Sequence, residues 1–280
     1  MGSNHSNIKT TRLMTEIEKF KNTVYDYYTR NGRTLPWRCT KDPYKILVSE
    51  VMLQQTQVQR VMEKYSAFIE RFPTVQRLAQ APLRDVMQSW QGLGYNRRAL
   101  ALWKLAALVV ERYKGRLPDE HAELTSLPGI GNATAGAICV FAFNKPVVFV
   151  ETNIRSVFLH HFFAQERVVS DNMIIPLVRD TLDHHHPRKW YTALMDYGTH
   201  LKKQFGNPNQ RSTSYHRQSA FHGSDREARG MVLKIVLETQ GCSEQVLVNK
   251  TDLPSARLRP IINTLLQEGL IRKQRGQLTV

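Results

Sequence analysis

Long apolar runs are missing from this 280-residue chain: none reaches the roughly 18 residues that would span a bilayer. No membrane partner is therefore expected. The polar start Met1-Gly2-Ser3-Asn4-His5-Ser6 does not read as a secretory signal, which places the protein in the cytoplasm with the nucleoid. Cysteine is scarce as well. Cys39, Cys139 and Cys242 are far apart and odd in number, which excludes a disulfide framework and a four-cysteine metal site within one chain. Cys139 lies in an apolar run and reads as core. His184-His185-His186-Pro187 reads as a solvated helix end, because adjacent histidines on a helix point in different directions, so no metal site is expected. Acidic residues are outnumbered: 24 Asp+Glu against 39 Lys+Arg leave a net charge of +15 and a pI near 9.9. An excess of that size points to a polyanion as partner.

What is present centres on Leu127-Pro128-Gly129-Ile130-Gly131-Asn132-Ala133-Thr134-Ala135-Gly136-Ala137. Pro128 and Gly129 stop one helix, the two glycines permit backbone geometry that a side chain opposes, and a second helix begins at once. Its first N–H groups form a seat for a phosphate with no side chain in the way. A proline-glycine corner between two helices also occurs without any ligand. The continuation favours the seat. Lys145-Pro146-Val147-Val148-Phe149-Val150 is β-branched and apolar, which predicts an extended, buried run, and Glu151-Thr152-Asn153 offers capping residues before the helical pattern Ile154–Leu159. A carboxylate is delivered there to a helix N-terminus, whose dipole favours its charged form.

Taken in order, the chain predicts a helix from about Leu13 to Arg30, an extended connection at Leu35-Pro36-Trp37-Arg38, and a helix opened by Asp42-Pro43 and running from Tyr44 to about Lys64. Glu50, Gln54 and Gln57 then form a polar line at i, i+4, i+7. That line is an exposed stripe or, at Glu50 among Val48, Val51, Met52 and Leu53, a partly buried acid whose pKa rises towards that of a proton donor. Trp90-Gln91-Gly92-Leu93-Gly94-Tyr95-Asn96-Arg97-Arg98 reads either as a loop that wedges an aromatic against nucleic acid while its arginines hold phosphates, or as a buried Tyr95 with solvated arginines. Short helices follow Phe72-Pro73-Thr74-Val75 and Ala81-Pro82-Leu83, with further helices at Leu100–Lys114, Asn172–Asp183 and Trp190–Lys203. The stretch 206–225 is a polar, basic linker. From 226 to 280, three helices and two short strands about a basic turn describe a winged helix.

Leu35-Pro36-Trp37, Ser49-Glu50-Val51-Met52-Leu53-Gln54-Gln55-Thr56-Gln57-Val58, Trp90-Gln91-Gly92-Leu93-Gly94-Tyr95 and Leu127-Pro128-Gly129-Ile130-Gly131 resemble the helix-hairpin-helix DNA glycosylase superfamily, specifically its MutY-type adenine DNA glycosylases. The resemblance covers roughly residues 13 to 205. It implies an all-α fold of two lobes within residues 1–205, with about 35–145 in one lobe and the N-terminal helix plus 146–205 in the other. The small winged-helix-like α+β domain follows. It also implies a target base flipped into the cleft between the lobes. Glu50 falls on the family's catalytic glutamate, which protonates the departing purine, and Glu151 on its catalytic aspartate, which stabilises the sugar cation, with Asn153 in support. Gln54 lines the base pocket, Gln55 and Tyr95 enter the base stack, and Leu127, Gly129, Ile130, Gly131, Asn132, Arg97 and Arg98 bind the DNA backbone.

Four departures refine the reading. Glutamate replaces the usual aspartate at Glu151, which moves the carboxylate by more than about 1 Å. Ala133 stands where bifunctional relatives carry a Schiff-base lysine, so base removal without efficient strand cleavage is expected. The stretch that holds four cluster cysteines in most relatives has none here, so no iron–sulfur cluster is expected. The family's 8-oxoguanine-recognition domain gives way to the shorter winged-helix-like segment. The expected protein is a monomeric, monofunctional glycosylase of mismatched or lesion-bearing double-stranded DNA in base excision repair, with adenine favoured. A thymine or uracil mismatch glycosylase and a non-catalytic DNA-binding protein are the alternatives; the Glu50/Glu151 pair separates the enzyme from the binder.

Overall fold

Five of the α-helices among the described residues begin where a capping side chain, in chain order Asp42, Thr74, Glu151, Ser224 and Ser243, accepts from their first N–H groups. The computed structural model describes residues 3–280, with side chains from Met14 onward, so Met1 and Gly2 and the side chains of the polar start lie outside the described residues. After α1 (Ser3–Asn31), a 3₁₀ turn at Pro36–Arg38 replaces the expected extended connection and buries Trp37. Asp42 then accepts from the N–H groups of Tyr44 and Lys45 and, with Pro43 in the first turn, starts α2 (Pro43–Leu53). α3 (Val58–Arg71) follows, then α4 (Val75–Gln80), capped by Thr74, α5 (Leu83–Trp90), α6 (Arg97–Tyr113) and α7 (His121–Thr125). Next come α8 (Asn132–Phe143), α9 (Thr152–Phe162), α10 (Asp171–Thr181) and α11 (Pro187–Phe205). α12 (Asp225–Glu238) is capped by Ser224 and α13 (Glu244–Thr251) by Ser243; α14 (Ser255–Gln267) precedes strands β1 (Arg272–Gln274) and β2 (Gln277–Thr279). No helix among the described residues is long and apolar enough to cross a membrane.

The chain divides into two units. The first holds residues 1–41, 119–121 and 131–217. Its core joins α1, α9 and α11, with Phe20 meeting Phe158 at 5.4 Å and Trp190 edge-on at 5.9 Å between ring centroids. Lys145–Val150 crosses this unit as irregular chain, not as a ladder strand. Only Phe149 is deeply buried there, stacked on Tyr191 at 4.4 Å, while the Tyr191 hydroxyl donates to the Val147 carbonyl at 2.9 Å. Tyr191 thus satisfies a backbone that has no neighbouring strand. The expected linker is partly built: Pro208–Arg211 forms a 3₁₀ turn. Asn209, 2% exposed, donates from Nδ2 to Ser156 Oγ at 2.6 Å and to the Thr152 carbonyl at 3.2 Å. The Arg211 guanidinium caps carbonyls at the end of α9, among them Leu159 at 3.0 Å. The histidine run lies outside helix, where the Asp183 carboxylate accepts from the N–H groups of His185 and His186. Among the described residues, no three His, Cys, Asp or Glu side chains gather as a metal ion requires.

The second unit holds residues 42–118, 122–130 and 218–280. Ile46, Leu47, Val61, Phe68, Trp90, Leu102 and Leu105 fill its centre, each at most 1% exposed. The helix expected over 44–64 is two helices here, broken between Leu53 and Val58. At the C-terminal end of this unit, α12 packs on α13, α14, β2 and α5. β1 and β2 pair antiparallel with Lys273 opposite Leu278. Arg275 and Gly276, both with positive φ (48° and 77°), form the two-residue turn that suits a tight hairpin. Cys242 exchanges backbone bonds with Leu278 and adds a third short edge. Three helices and a two-stranded hairpin thus close the chain.

Candidate functional site

The break between α2 and α3 has a cause that local sequence does not carry. Arg98, 9% exposed, donates from Nη1 to the carbonyls of Val51, Met52 and Gln54 at 2.9, 2.8 and 2.6 Å. From Nη2 it reaches Thr56 Oγ1 at 2.9 Å and the carbonyls of Leu93 and Gly94 at 3.3 and 3.0 Å. One guanidinium therefore satisfies the carbonyls that α2 exposes at its end and those of the turn before α6. Burial pushes its pKa down to about 10, against the opposing influence of Tyr95. The phosphate-binding role expected of Arg98 is thereby corrected: its donors are spent on protein carbonyls in the interior. Arg97, beside it, is the exposed arginine, with its side chain 75% accessible and 3.8 Å from Glu268.

The two turns that Arg98 joins carry two of the expected DNA-contacting residues. Gln55 has φ 54° and Tyr95 φ 48°, left-handed conformations that cost a non-glycine residue on the order of 1 kcal/mol. Gln55 is exposed and Tyr95 half-buried. Gln54, the C-cap of α2, donates from Nε2 to the Gly129 carbonyl at 3.2 Å, which fixes the corner after α7 to the end of α2. Gln57 is the N-cap of α3. The break at 54–57 thus dissolves the polar helical line expected of Glu50, Gln54 and Gln57. Glu50 remains in the last turn of α2, half-buried, between Ser49 at 0% and Val51 at 2% exposure.

Glu151 is itself the N-cap of α9. Its Oε1 accepts from the backbone N–H groups of Asn153 and Ile154 at 2.7 and 2.8 Å, and its Oε2 accepts from Asn153 Nδ2 at 3.2 Å. Asn153 orients the carboxylate and is oriented in turn from α11: Thr199 Oγ1 lies 3.4 Å from Asn153 Oδ1. Gly198 makes this approach possible, since a Cβ there would sit 2.2 Å from the Asn153 carbonyl oxygen. One turn beyond Gly198, Lys202 was not singled out by the sequence. Burial lowers its pKa, partly offset by the charge of Glu151, which identifies Lys202 as an electrostatic neighbour of that carboxylate. Its position four residues after Gly198 is the signal that would have found it.

In the corner between α7 and α8, Gly129 takes φ 79°. Gly131, in contrast, is extended (φ −91°, ψ 173°), so only one of the two glycines needs left-handed backbone. Leu127 and Ile130 are buried at 2% and 6%, which leaves backbone as their route to a ligand. Gly131 caps α8 without a side chain, and it and Asn132 are exposed. A Cβ on Gly131 would meet nothing within 4 Å. The protein thus has no steric need for glycine at 131, whereas a phosphate on the first N–H groups of α8 does. Gly131→Ala is expected to leave the melting temperature almost unchanged and to weaken duplex binding about tenfold, about 1.4 kcal/mol, whatever the sequence, as read by fluorescence anisotropy.

Comparison with known proteins defines the class first. The structure of a thermostable thymine-DNA glycosylase superposes with a TM-score of 0.63 at 24% identity, covering 71% of this chain and 93% of that one. A non-covalent endonuclease III–DNA complex superposes at 0.59 and 20% identity, covering 68% and 88%. The fold is theirs. Residues 48–174 match the family model of the HhH-GPD superfamily base excision DNA repair proteins. An adenine DNA glycosylase of Mycolicibacterium smegmatis is 31% identical over 271 residues, covering 89% of this chain and 92% of the relative. That of Buchnera aphidicola subsp. Baizongia pistaciae is 38% identical over 184 residues, covering 64% and 52%. The human one is 39% identical over 155 residues, covering 52% and 28%. Against the Buchnera relatives the chain spans about half their length. The chain belongs to the helix-hairpin-helix glycosylase superfamily, in its adenine DNA glycosylase family.

Proposed function

We propose that this protein is a monofunctional DNA glycosylase of base excision repair that removes adenine from a mispaired or lesion-bearing duplex. The observation that carries the reading is the likeness along 92% of the mycobacterial adenine DNA glycosylase. The residues supply a matching chemistry. Glu50 donates a proton to the departing base as the glycosidic bond breaks. Glu151, with its orientation set by Asn153, Ile154 and the close approach of α11, stabilises the positive charge that develops on the sugar. Gln54 belongs to the base pocket, Gln55 and Tyr95 enter the stack, and α8 seats a backbone phosphate.

Water rather than an amine takes up the sugar cation, because Ala133 offers no nucleophile. An iron–sulfur cluster does not fit this chain. Three scattered cysteines cannot supply four ligands, and the segment after α11 is held instead by Asn209 and Arg211.

The test is a panel of duplexes bearing each mismatch and common lesions, incubated with protein, heated in alkali and resolved on a denaturing gel. Cleavage confined to an adenine-containing mispair is expected. Release of thymine or uracil alone replaces the adenine assignment, and no release from any duplex ends the glycosylase reading. Borohydride added during turnover is expected to trap no covalent adduct.

A further inference from the structure

Within the second unit, a cavity of about 910 Å³ lies between the two turns joined by Arg98 and the first helix of the winged-helix segment. Gln55 and Tyr95 stand on one side; Gln218, Phe221, Arg226 and Gly230 stand on the other. The two sides touch: Gln218 Nε2 lies 3.4 Å from Gln55 Oε1 and is hydrogen-bonded to the Tyr95 hydroxyl, which also accepts from Arg226 Nη1 at 2.9 Å. The Arg226 guanidinium also lies over the Tyr95 ring, 5.9 Å from its centroid.

Three features of this cavity select a ligand. Six arginine or lysine side chains line it and no carboxylate does. Arg98 is spent on carbonyls, Arg97 and Arg229 share Glu268, and Lys234 pairs with Glu238, which leaves Arg60 and Arg226 as the lining cations that no ion pair among the described residues neutralises. The occupant is therefore anionic. Glutamine amides, which both donate and accept, accompany two aromatic rings, and Phe221 is 55% exposed. That mixture suits a nucleobase, which stacks on a ring and bonds through its edge. Thirdly, Gly230 sits inside α12, where glycine is unfavourable, yet a Cβ there would meet nothing within 4 Å. No packing inside the protein calls for it. It leaves room on the cavity side.

We propose that this cavity binds one unpaired nucleotide of the DNA, turned out of the stack beside Gln55 and Tyr95, with its base between Phe221 and the glutamines and its phosphate on Arg226. The volume lies within the range of about 300–1,000 Å³ usual for small-ligand sites, so a single nucleotide fits and a stacked duplex does not enter. The inference rests on the DNA-binding part of the proposed function. It gives the C-terminal segment a direct part in reading the substrate.

The test uses the full chain and two duplexes identical except for one unpaired 2-aminopurine nucleotide. The unmodified protein is expected to bind the bulged duplex at least about tenfold more tightly than the paired one and to quench the probe's emission by stacking. Gly230→Met, which projects into the cavity from a helix that gains a better helix former, is expected to abolish the preference and the quenching while affinity for the paired duplex stays. Phe221→Ala, at an exposed position, is expected to lose the quenching and serves as the decisive variant if Gly230→Met melts early. A preference retained in both variants, or an equal loss on both duplexes, overturns the proposal. Base release from the mismatch panel is read separately. Its absence removes the glycosylase reading and leaves the nucleotide preference measurable.

Discussion

Exchange of Glu50 for glutamine is expected to slow base release by at least about a thousandfold in single-turnover assays, within the range of about 10²–10⁴ typical of a lost general acid. Duplex affinity is expected to change by less than about threefold, equivalent to about 0.6 kcal/mol. The two readouts separate because the elements are separate. Glu50 lies in the last turn of α2, whereas the phosphate seat is made of backbone N–H groups at the start of α8. Glutamine preserves the shape and the hydrogen-bonding reach of the side chain but cannot deliver a proton. Loss of affinity and of catalysis in equal measure would make Glu50 a structural residue of α2.

The second large effect concerns stability. Asp196 is 2% exposed and holds two arginines at once. Its Oδ1 accepts from Arg33 Nε at 2.7 Å and Arg38 Nη2 at 2.8 Å, and its Oδ2 from the Arg33 N–H at 2.9 Å and Arg38 Nη1 at 2.8 Å. Asparagine keeps the volume and removes the charge. Two guanidinium groups are then left partly buried without their counter-ion, at a cost of about 3–5 kcal/mol. For a unit of this size that corresponds to a fall in melting temperature on the order of 10 °C. The pH dependence gives an independent check. Burial alone raises the Asp196 pKa, but the Arg38 hydrogen bonds, the Arg33 N–H and both guanidinium charges outweigh it, so the net displacement is downward. The stabilising contribution is then complete above the ordinary carboxylate value of about 4 and disappears as pH falls through the lower folded value. The difference in melting temperature between the two proteins is expected to be widest near neutrality and to close in acid. A constant difference across that range would show that the charge of Asp196 is not what matters.

How much was legible in the sequence depended on whether the deciding interaction was local. Asp42-Pro43 and Thr74 marked their helix starts because a cap acts on N–H groups two or three residues away. The C-terminal three helices and hairpin were legible for the same reason, with Arg275-Gly276 supplying the turn. The break after Leu53 was not. The apolar pattern runs on through Val58 and Val61, and what ends the helix is the guanidinium of Arg98, more than forty positions away. Asn209 was hidden by its company: in a polar stretch it reads as solvated, and only Ser156 and Thr152 of α9 show why it is buried. In the candidate site, the glycine corner and the carboxylate at a helix start could be argued from residue chemistry. For Glu50 as a proton donor and Tyr95 as a wedge, residue chemistry left two readings open and the resemblance chose between them; the role of Gln55 rested on the resemblance alone.

Because a single guanidinium fastens the backbone on both sides, the tips at Gln55 and Tyr95 cannot probe independently of each other. On the proposed function, DNA passing over this face meets a rigid two-pronged tool, and a weak spot in the stack is tested by both prongs in the same encounter.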